Sequence, residues 1–300
     1  MSAQATLRLS DDDLPPGVEI TVDPFLNILS HAITPTDMWA LATRIRQHLS
    51  DPKIAGIVVT HGTVVMEESA FLCDLLLTPG KPVLFTGAML PALSNGEDGQ
   101  RNLRDALVVA MSADAVDLGV LVCMDGEVHL ARHVRKMHSN ALNAFQSPGF
   151  GPIGVVDGKF ILNAKPARCG LRLDPPALEL NVDLLSVASG MDDRFVRCSM
   201  QRGARGLVIE GFPGRGAVTP AIAAALPDAI AQGIAVVLAT RSPSANVMPS
   251  SGGQAGSATL SRLGVIMGGR LSGPKLRLLL MVSLGTTDDP ARIAEIVAQF

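Results

Sequence analysis

One stretch of the sequence decides the fold: Gly56-Ile57-Val58-Val59-Thr60-His61-Gly62-Thr63-Val64-Val65-Met66-Glu67-Glu68-Ser69. Its β-branched run predicts a short strand that is buried on both faces. Gly62 permits a tight turn, and the apolar residues that follow Met66 recur at helical spacing as far as Leu77. A side chain at such a junction points into the crevice beyond the carboxyl ends of a parallel sheet, where open α/β folds bind ligands.

Thr63 is the polar residue of this junction, and two interpretations of it stay open. Its hydroxyl could cap the helix that follows, because threonine is a common helix-capping residue. Alternatively, the hydroxyl could attack or orient a substrate in the crevice. Spacing alone favours the cap.

The composition excludes several classes of function. A length of 300 residues predicts two domains, and 47% hydrophobic residues suffice for a core in each. The net charge of −3 and the lack of a basic patch argue against nucleic acid, and no apolar run is long enough to span a membrane. The four cysteines show no metal-ligand spacing, so we expect reduced structural thiols, no metal and no cofactor. No secretory signal is visible at the start, which predicts a cytoplasmic protein.

Strands and helices alternate along both halves of the chain, which is typical of βαβ units. We therefore predict an α/β fold with a larger N-terminal domain (residues 1–163), whose mainly parallel sheet is flanked by helices. A linker (residues 164–181) leads to a smaller C-terminal α/β domain (residues 182–300). Predicted strands are 18–22, 54–60, 83–86, 116–124, 127–131, 182–187, 206–210 and 234–240, with a hairpin turn at Asp125-Gly126.

The string Thr60-His61-Gly62-Thr63, followed by Met66-Glu67-Glu68-Ser69, resembles a signature of the asparaginase/glutaminase family. The family's usual string is Thr-His-Gly-Thr-Asp-Thr-Met-Glu-Glu-Thr, so Val64 and Val65 replace Asp and Thr here. The resemblance covers nearly the whole chain from Val18 onward. It includes the segments 81–89, 98–106 and 145–154 in the first half and 207–212, 240–243 and 273–280 in the second.

The resemblance implies an enzyme that hydrolyses the side-chain amide of a free amino acid and assembles as a homo-oligomer, either a dimer or a tetramer. Ser30 and His31 lie where the family holds the substrate's α-carboxylate, with His31 in place of a Gln. Lys136 matches the family's active-site lysine, the base partner of Thr63. Without the resemblance, Lys136 would be read as a solvated lysine, and His61 as a turn residue whose ring bonds a neighbouring backbone group.

Three departures from the family pattern bear on activity. Val64 replaces the Asp that bridges the Thr–Lys pair and holds the α-ammonium, and Ala217 replaces an Asn that reaches a neighbouring subunit's site. The family's opening strand ends in Gly-Gly-Thr-Ile and is followed by a loop with an activating Tyr. This sequence has no Gly-Gly-Thr and no tyrosine. We therefore expect that Met1 is not the natural start and the strand and motif are encoded upstream, or that the gene has lost its first piece.

Two functions compete. Ser30, Thr63 and Lys136 favour an amidohydrolase that converts L-asparagine to L-aspartate and ammonia. Val64, Ala217 and the missing Gly-Gly-Thr favour a non-catalytic module that binds a small ligand or supports assembly on the same fold. In the first case the substrate-binding residues are Ser30, His31, Thr63 and Val64, and the catalytic residues are Thr63 and Lys136.

Overall fold

The computed structural model describes residues 18–90, 96–166 and 172–300. These residues form two compact units, divided between Arg172 and Leu173. The division falls inside the predicted linker, of which residues 167–171 lie outside the described ranges. The α/β class with two domains is confirmed. The exact bounds 1–163 and 182–300 stay predictions, as does the expectation for the region upstream of Met1.

The first unit is built on a six-stranded sheet, with strand order β1-β2-β3-β4-β7-β8, and a separate two-stranded ribbon of β5 and β6. The strands are β1 (Ile57–Thr60), β2 (Val83–Thr86), β3 (Val120–Met124), β4 (Glu127–Leu130), β5 (Arg135–Lys136), β6 (Phe145–Gln146), β7 (Gly154–Asp157) and β8 (Lys159–Leu162). Its helices are α1 (Pro35–Leu49), α2 (Met66–Leu76) and α3 (Gly99–Ala110).

The first three strands run parallel, and the remaining neighbours in the sheet are antiparallel. The predicted hairpin between β3 and β4 is confirmed: Asp125 and Gly126 both have positive φ, at 52° and 78°. Such a two-residue turn matches the twist of the strands that it joins. The second hairpin, of β7 and β8, lies in a stretch where the sequence analysis assigned no strand.

Two expectations for the start of the first unit are wrong. The strand β1 is half-buried and lies at the edge of the sheet, where β2 is its only strand partner among the described residues. No strand forms at residues 18–22, and Val18 and Val22 are exposed. The physical reason is the same in both cases. An alternating or apolar run becomes a buried strand only when neighbouring strands supply its hydrogen-bond ladder.

The second unit contains an all-parallel sheet with strand order β12-β11-β10-β9. The strands are β9 (Val182–Ser186), β10 (Gly206–Gly211), β11 (Ala235–Thr240) and β12 (Ile266–Met267). The helices are α4 (Arg194–Gln201), α5 (Pro220–Ala231), α6 (Ser257–Arg262), α7 (Gly273–Thr286) and α8 (Pro290–Val297). Apolar side chains of β10, β11 and α5 share one buried core.

Cys73 and Cys123 are buried free thiols, and Cys198 is an exposed one. Burial raises the pKa of both buried thiols, so they stay protonated and act as core residues. The fourth cysteine, Cys169, lies outside the described residues. In the part of the chain that the structure describes, no helix has both the length and the apolar character needed to cross a membrane.

Candidate active site

The candidate site lies just beyond the carboxyl end of β1, beside the carboxyl end of β2. The His61 N–H donates to the Thr86 carbonyl at 2.8 Å, which extends the pairing of the two strands past their last residues. Gly62 then lies against Ser30: a Cβ at position 62 would come within 2.6 Å of the Ser30 Oγ. Real Cβ contacts of this length do not occur, so glycine lets the turn pass close to Ser30 and directs the chain to Thr63.

The structure brings Thr63 and Lys136 together. The Lys136 Nζ donates to the Thr63 Oγ1 at 2.7 Å, across 73 residues of sequence. The helix α2 begins only at Met66, and its N-cap residue is Val65, with no side-chain capping bond. The interpretation of Thr63 as a helix cap is therefore wrong, because two residues separate it from the first helical turn.

Lys136 is half-buried on β5, so it is not the freely solvated lysine that its residue type alone predicts. Burial lowers the pKa of its ammonium group from the ordinary value of 10.5. Desolvation disfavours the charged form of an amine, and a larger fraction of neutral amine is then present at a given pH. A neutral amine 2.7 Å from a hydroxyl can accept the hydroxyl's proton.

Ser30 and Val64 meet beside this pair. The Val64 N–H donates to the Ser30 Oγ at 3.3 Å, and Ser30 is 7% exposed. The Val64 side chain is 56% exposed, so an apolar surface borders Thr63. His31 lies next to Ser30 in a short 3-10 turn, Ser30–Ala32, but its side chain is exposed and has no hydrogen-bond partner among the described residues.

Comparison with known proteins identifies the family. The profile "Asparaginase, N-terminal" matches residues 5–168, and the profile "Glutaminase/Asparaginase C-terminal domain" matches residues 181–297. The chain belongs to the asparaginase family.

Two relatives illustrate how much of the chain is shared. The chain is 31% identical to an L-asparaginase of Bacillus licheniformis over 275 residues, 91% of this chain and 84% of the relative. It is 36% identical to a probable L-asparaginase of Deinococcus radiodurans over 280 residues, 89% of this chain and 82% of the relative. The crystal structure of a probable cytoplasmic L-asparaginase from Campylobacter jejuni is similar with a TM-score of 0.82 and 28% identity, and the match covers 92% of this chain and 85% of that chain.

The sequence analysis of this asparaginase-family chain missed two features, one at the pair and one on β4. The Glu67 carboxylate accepts a hydrogen bond from the Lys136 backbone N–H, across 69 residues of sequence. The fully buried His129 on β4 contacts the Ser147 hydroxyl through Nδ1 at 3.0 Å, and its Nε2 lies 3.2 Å from a Glu127 carboxylate oxygen. The Glu67 contact joins residues 69 apart in sequence and the Ser147 contact joins residues 18 apart, so no local pattern signals either of them.

The expectation for His61 as a turn residue is confirmed. Its Nδ1 lies 2.7 Å from the Gly62 carbonyl, which can only accept, so Nδ1 donates. Burial lowers the pKa of the imidazole, so the ring is neutral near pH 7. His61 therefore supports the turn that presents Thr63.

Proposed function

We propose that this chain is an asparaginase-type amidohydrolase that converts L-asparagine to L-aspartate and ammonia, with Thr63 as the nucleophile and Lys136 as its base. The observation that carries the proposal is the 2.7 Å contact between the Lys136 Nζ and the Thr63 Oγ1. A nucleophile within hydrogen-bond reach of a base is the arrangement required for covalent acyl transfer. The lowered pKa of Lys136 supports the role of base.

The proposed reaction has two halves. The neutral Lys136 amine takes the proton of the Thr63 hydroxyl while Oγ1 attacks the side-chain amide carbon, which gives a tetrahedral intermediate. The C–N bond then breaks, and the leaving nitrogen takes the proton from Lys136 and departs as ammonia. Water then attacks the resulting ester of Thr63 while Lys136 takes a proton from the water. The bond between the acyl carbon and Oγ1 breaks, Oγ1 takes the proton from Lys136, and L-aspartate leaves.

Ser30 is the proposed contact for the substrate's carboxylate. Its Oγ already accepts the Val64 N–H, so its own hydroxyl proton is available to donate to an anion. Val64 borders the same space with an apolar side chain, and His31 completes the proposed binding set from the adjacent 3-10 turn.

One observation favours a second candidate function. The 56% exposed Val64 offers no charge to an α-ammonium group at the side of the site next to Thr63. An uncompensated ammonium is costly to desolvate, which would weaken binding of an amino acid. The second candidate is thus a non-catalytic module that binds a small ligand at the same place.

We also propose a cytoplasmic homo-oligomer, either a dimer or a tetramer, that takes an amino-acid amide as its small-molecule partner. The location is supported by the similarity to the probable cytoplasmic L-asparaginase of Campylobacter jejuni. The oligomer rests on the family resemblance.

Ammonia release from L-asparagine tests the proposed function. We expect Lys136→Met to lower kcat/KM by about 10²–10⁴-fold, the usual contribution of a general base, and Thr63→Val to lower it at least as far, because it removes the attacking hydroxyl. Neither change should alter the melting temperature, because both side chains are only half-buried. Lys159→Met is the matched control, since this lysine is exposed on β8.

The outcomes separate the two candidates. Equal ammonia release from the wild type and Lys136→Met would contradict the proposed roles of Thr63 and Lys136. A wild-type protein that releases no ammonia but binds L-aspartate in a calorimetric titration would favour the ligand-binding module.

A further inference from the structure

Lys136 lies on a very short element. The ribbon of β5 and β6 pairs only Arg135 with Gln146 and Lys136 with Phe145, and it is separate from the six-stranded sheet. A two-stranded ribbon is at best marginally stable by itself, even when it is longer than this one. The position of the Lys136 side chain must therefore depend on the contacts that tie its backbone to the rest of the unit.

Glu67 supplies such a tie. Its Oε2 accepts the Lys136 backbone N–H, across 69 residues of sequence. A hydrogen bond to an ionised carboxylate is roughly twice as strong as one between neutral groups. The bond therefore fixes the backbone of the residue whose side chain contacts Thr63.

The helix that carries Glu67 is a rigid support. Glu67 lies in the first turn of α2, and most residues of this helix are fully buried. Thr63 lies three residues before the same helix begins. The Glu67 carboxylate thus adds a second connection, besides the Thr63–Lys136 contact, between the start of α2 and the ribbon that carries Lys136.

We propose that Glu67 is the positioning residue of the Thr63–Lys136 pair: its carboxylate holds the Lys136 backbone so that Nζ reaches the Thr63 hydroxyl. The effect on catalysis rests on the proposed function, whereas the effect on the position of Lys136 does not. The competing explanation is that Glu67 only stabilises the helix N-terminus, as any carboxylate in a first turn does.

Glu68 provides the matched control, because it lies in the same first turn of α2. Glu68→Ala removes a carboxylate from the helix terminus and leaves the bond between Glu67 and Lys136 in place. Glu67→Ala removes that bond, whereas Glu67→Gln keeps a carbonyl acceptor of the same length without the charge. The three variants therefore separate the helix terminus, the hydrogen bond and the charge.

The test uses nuclear magnetic resonance of the whole chain with two readouts besides activity. The first is the hydrogen-exchange rate of the Lys136 amide, and the second is the titration of the Lys136 side-chain nitrogen. We expect Glu67→Ala to accelerate exchange by about tenfold or more, because it removes a hydrogen bond to a charged acceptor. The lysine should then titrate closer to its ordinary pKa, since a displaced ribbon lets water reach Nζ.

The expected pattern among variants is specific. Glu67→Gln should retain most of the amide protection, and Glu68→Ala, which leaves the bond between Glu67 and Lys136 intact, should stay much closer to the wild type than Glu67→Ala in both readouts. In the ammonia assay, Glu67→Ala should lower kcat more than it changes KM, because the substrate contacts stay in place. Identical behaviour of Glu67→Ala and Glu68→Ala in exchange, titration and kcat would overturn the proposal.

Failure of the proposed function would look different. If the wild type released no ammonia, the exchange and titration experiments would still decide whether Glu67 holds Lys136. If the wild type were active and Glu67→Ala behaved like Glu68→Ala, only the positioning role would be lost.

Discussion

Two threonines of this chain lie between a parallel strand and the helix that follows it, and their hydroxyls do different things. Thr219 follows β10 and is the N-cap of α5: its Oγ1 accepts the Ile222 N–H at 3.3 Å and donates to the Met191 carbonyl at 2.8 Å. It is 7% exposed. Thr63 follows β1, is half-buried, and its Oγ1 accepts a hydrogen bond from the Lys136 Nζ. The Thr219 hydroxyl bonds only backbone groups in the described part of the chain, whereas the Thr63 hydroxyl bonds a lysine side chain.

The spacing to the helix explains the difference. Thr219 directly precedes Pro220, the first residue of α5, and proline at this position is typical of a helix start. Val64 and Val65 separate Thr63 from Met66, so its hydroxyl cannot reach the free N–H groups of the first turn in the usual capping geometry. The two additional residues therefore keep the Thr63 hydroxyl out of the capping role that Thr219 fills.

The largest expected effect is the pH dependence of kcat/KM, which should depend on the junction at Thr63 and not on the junction at Thr219. Because burial lowers the pKa of Lys136, kcat/KM for L-asparagine should rise by about tenfold per pH unit while the lysine loses its proton. The curve should level off below pH 10.5, the ordinary lysine value. The sign follows from the proposed role, since only the neutral amine accepts the proton of Thr63. A pH series of ammonia release measures this.

Thr219→Ala is the control for the pH series, because its hydroxyl contacts only backbone groups. At a temperature where this variant is folded, its kcat/KM should rise with pH in the same way as that of the wild type. A rate that does not change with pH, or that rises only above pH 10.5, would contradict the role of Lys136 as a base with a lowered pKa.

The sequence predicted the positions of most helices and strands better than it predicted how deeply each strand is buried. The strands β1 to β4 and β9 to β11, the hairpin turn at Asp125-Gly126 and the two α/β halves follow from local patterns of apolar residues and turn residues. The burial of β1 could not be predicted in this way, because it depends on which strands lie beside it. The short ribbon of β5 and β6 has too few residues to give a periodic signal.

The pairing of Thr63 with Lys136 was predicted from the family resemblance and not from local sequence patterns. Local reasoning favoured a cap for Thr63 and a solvated side chain for Lys136, and the structure shows neither. Both local interpretations fail because of one contact, between Thr63 and Lys136, which are 73 residues apart in sequence. Glu67 could not be assigned at all from its position in a helix turn, because its partner is a backbone N–H that sequence patterns do not reveal.

The second prediction compares the stability of alanine variants at the two junctions. Thr219→Ala should lower the free energy of unfolding by about 1 kcal/mol, the usual cost of losing an N-cap hydroxyl. Thr63→Ala should change it by less than about 0.5 kcal/mol, because a half-exposed hydroxyl with no capping bond contributes little. Urea unfolding followed by circular dichroism measures both. Equal losses in the two variants would contradict the distinction between a threonine that caps a helix and one that does not.

The smallest expected effect concerns the residue that separates Thr63 from its helix. Val64→Asp places a carboxylate beside the candidate site, where the α-ammonium of an amino acid would otherwise lack a partner. The affinity for L-aspartate, the proposed product, should rise by about two- to fivefold. The gain is modest because position 64 is 56% exposed, and exposed ion pairs contribute only about 0.2–1 kcal/mol.

Val64→Asn separates charge from shape in this experiment, since Asn has the same size as Asp and can still hydrogen-bond. Calorimetric titration of both variants and the wild type at low salt gives the three affinities. If the α-ammonium is bound next to Thr63, only Val64→Asp gains affinity, and added salt reduces the gain because the pair is solvent-screened. An equal gain in Val64→Asn would indicate a hydrogen bond rather than an ion pair. No gain in either variant would mean that the amino group of the ligand lies elsewhere in the site, away from the junction that presents Thr63.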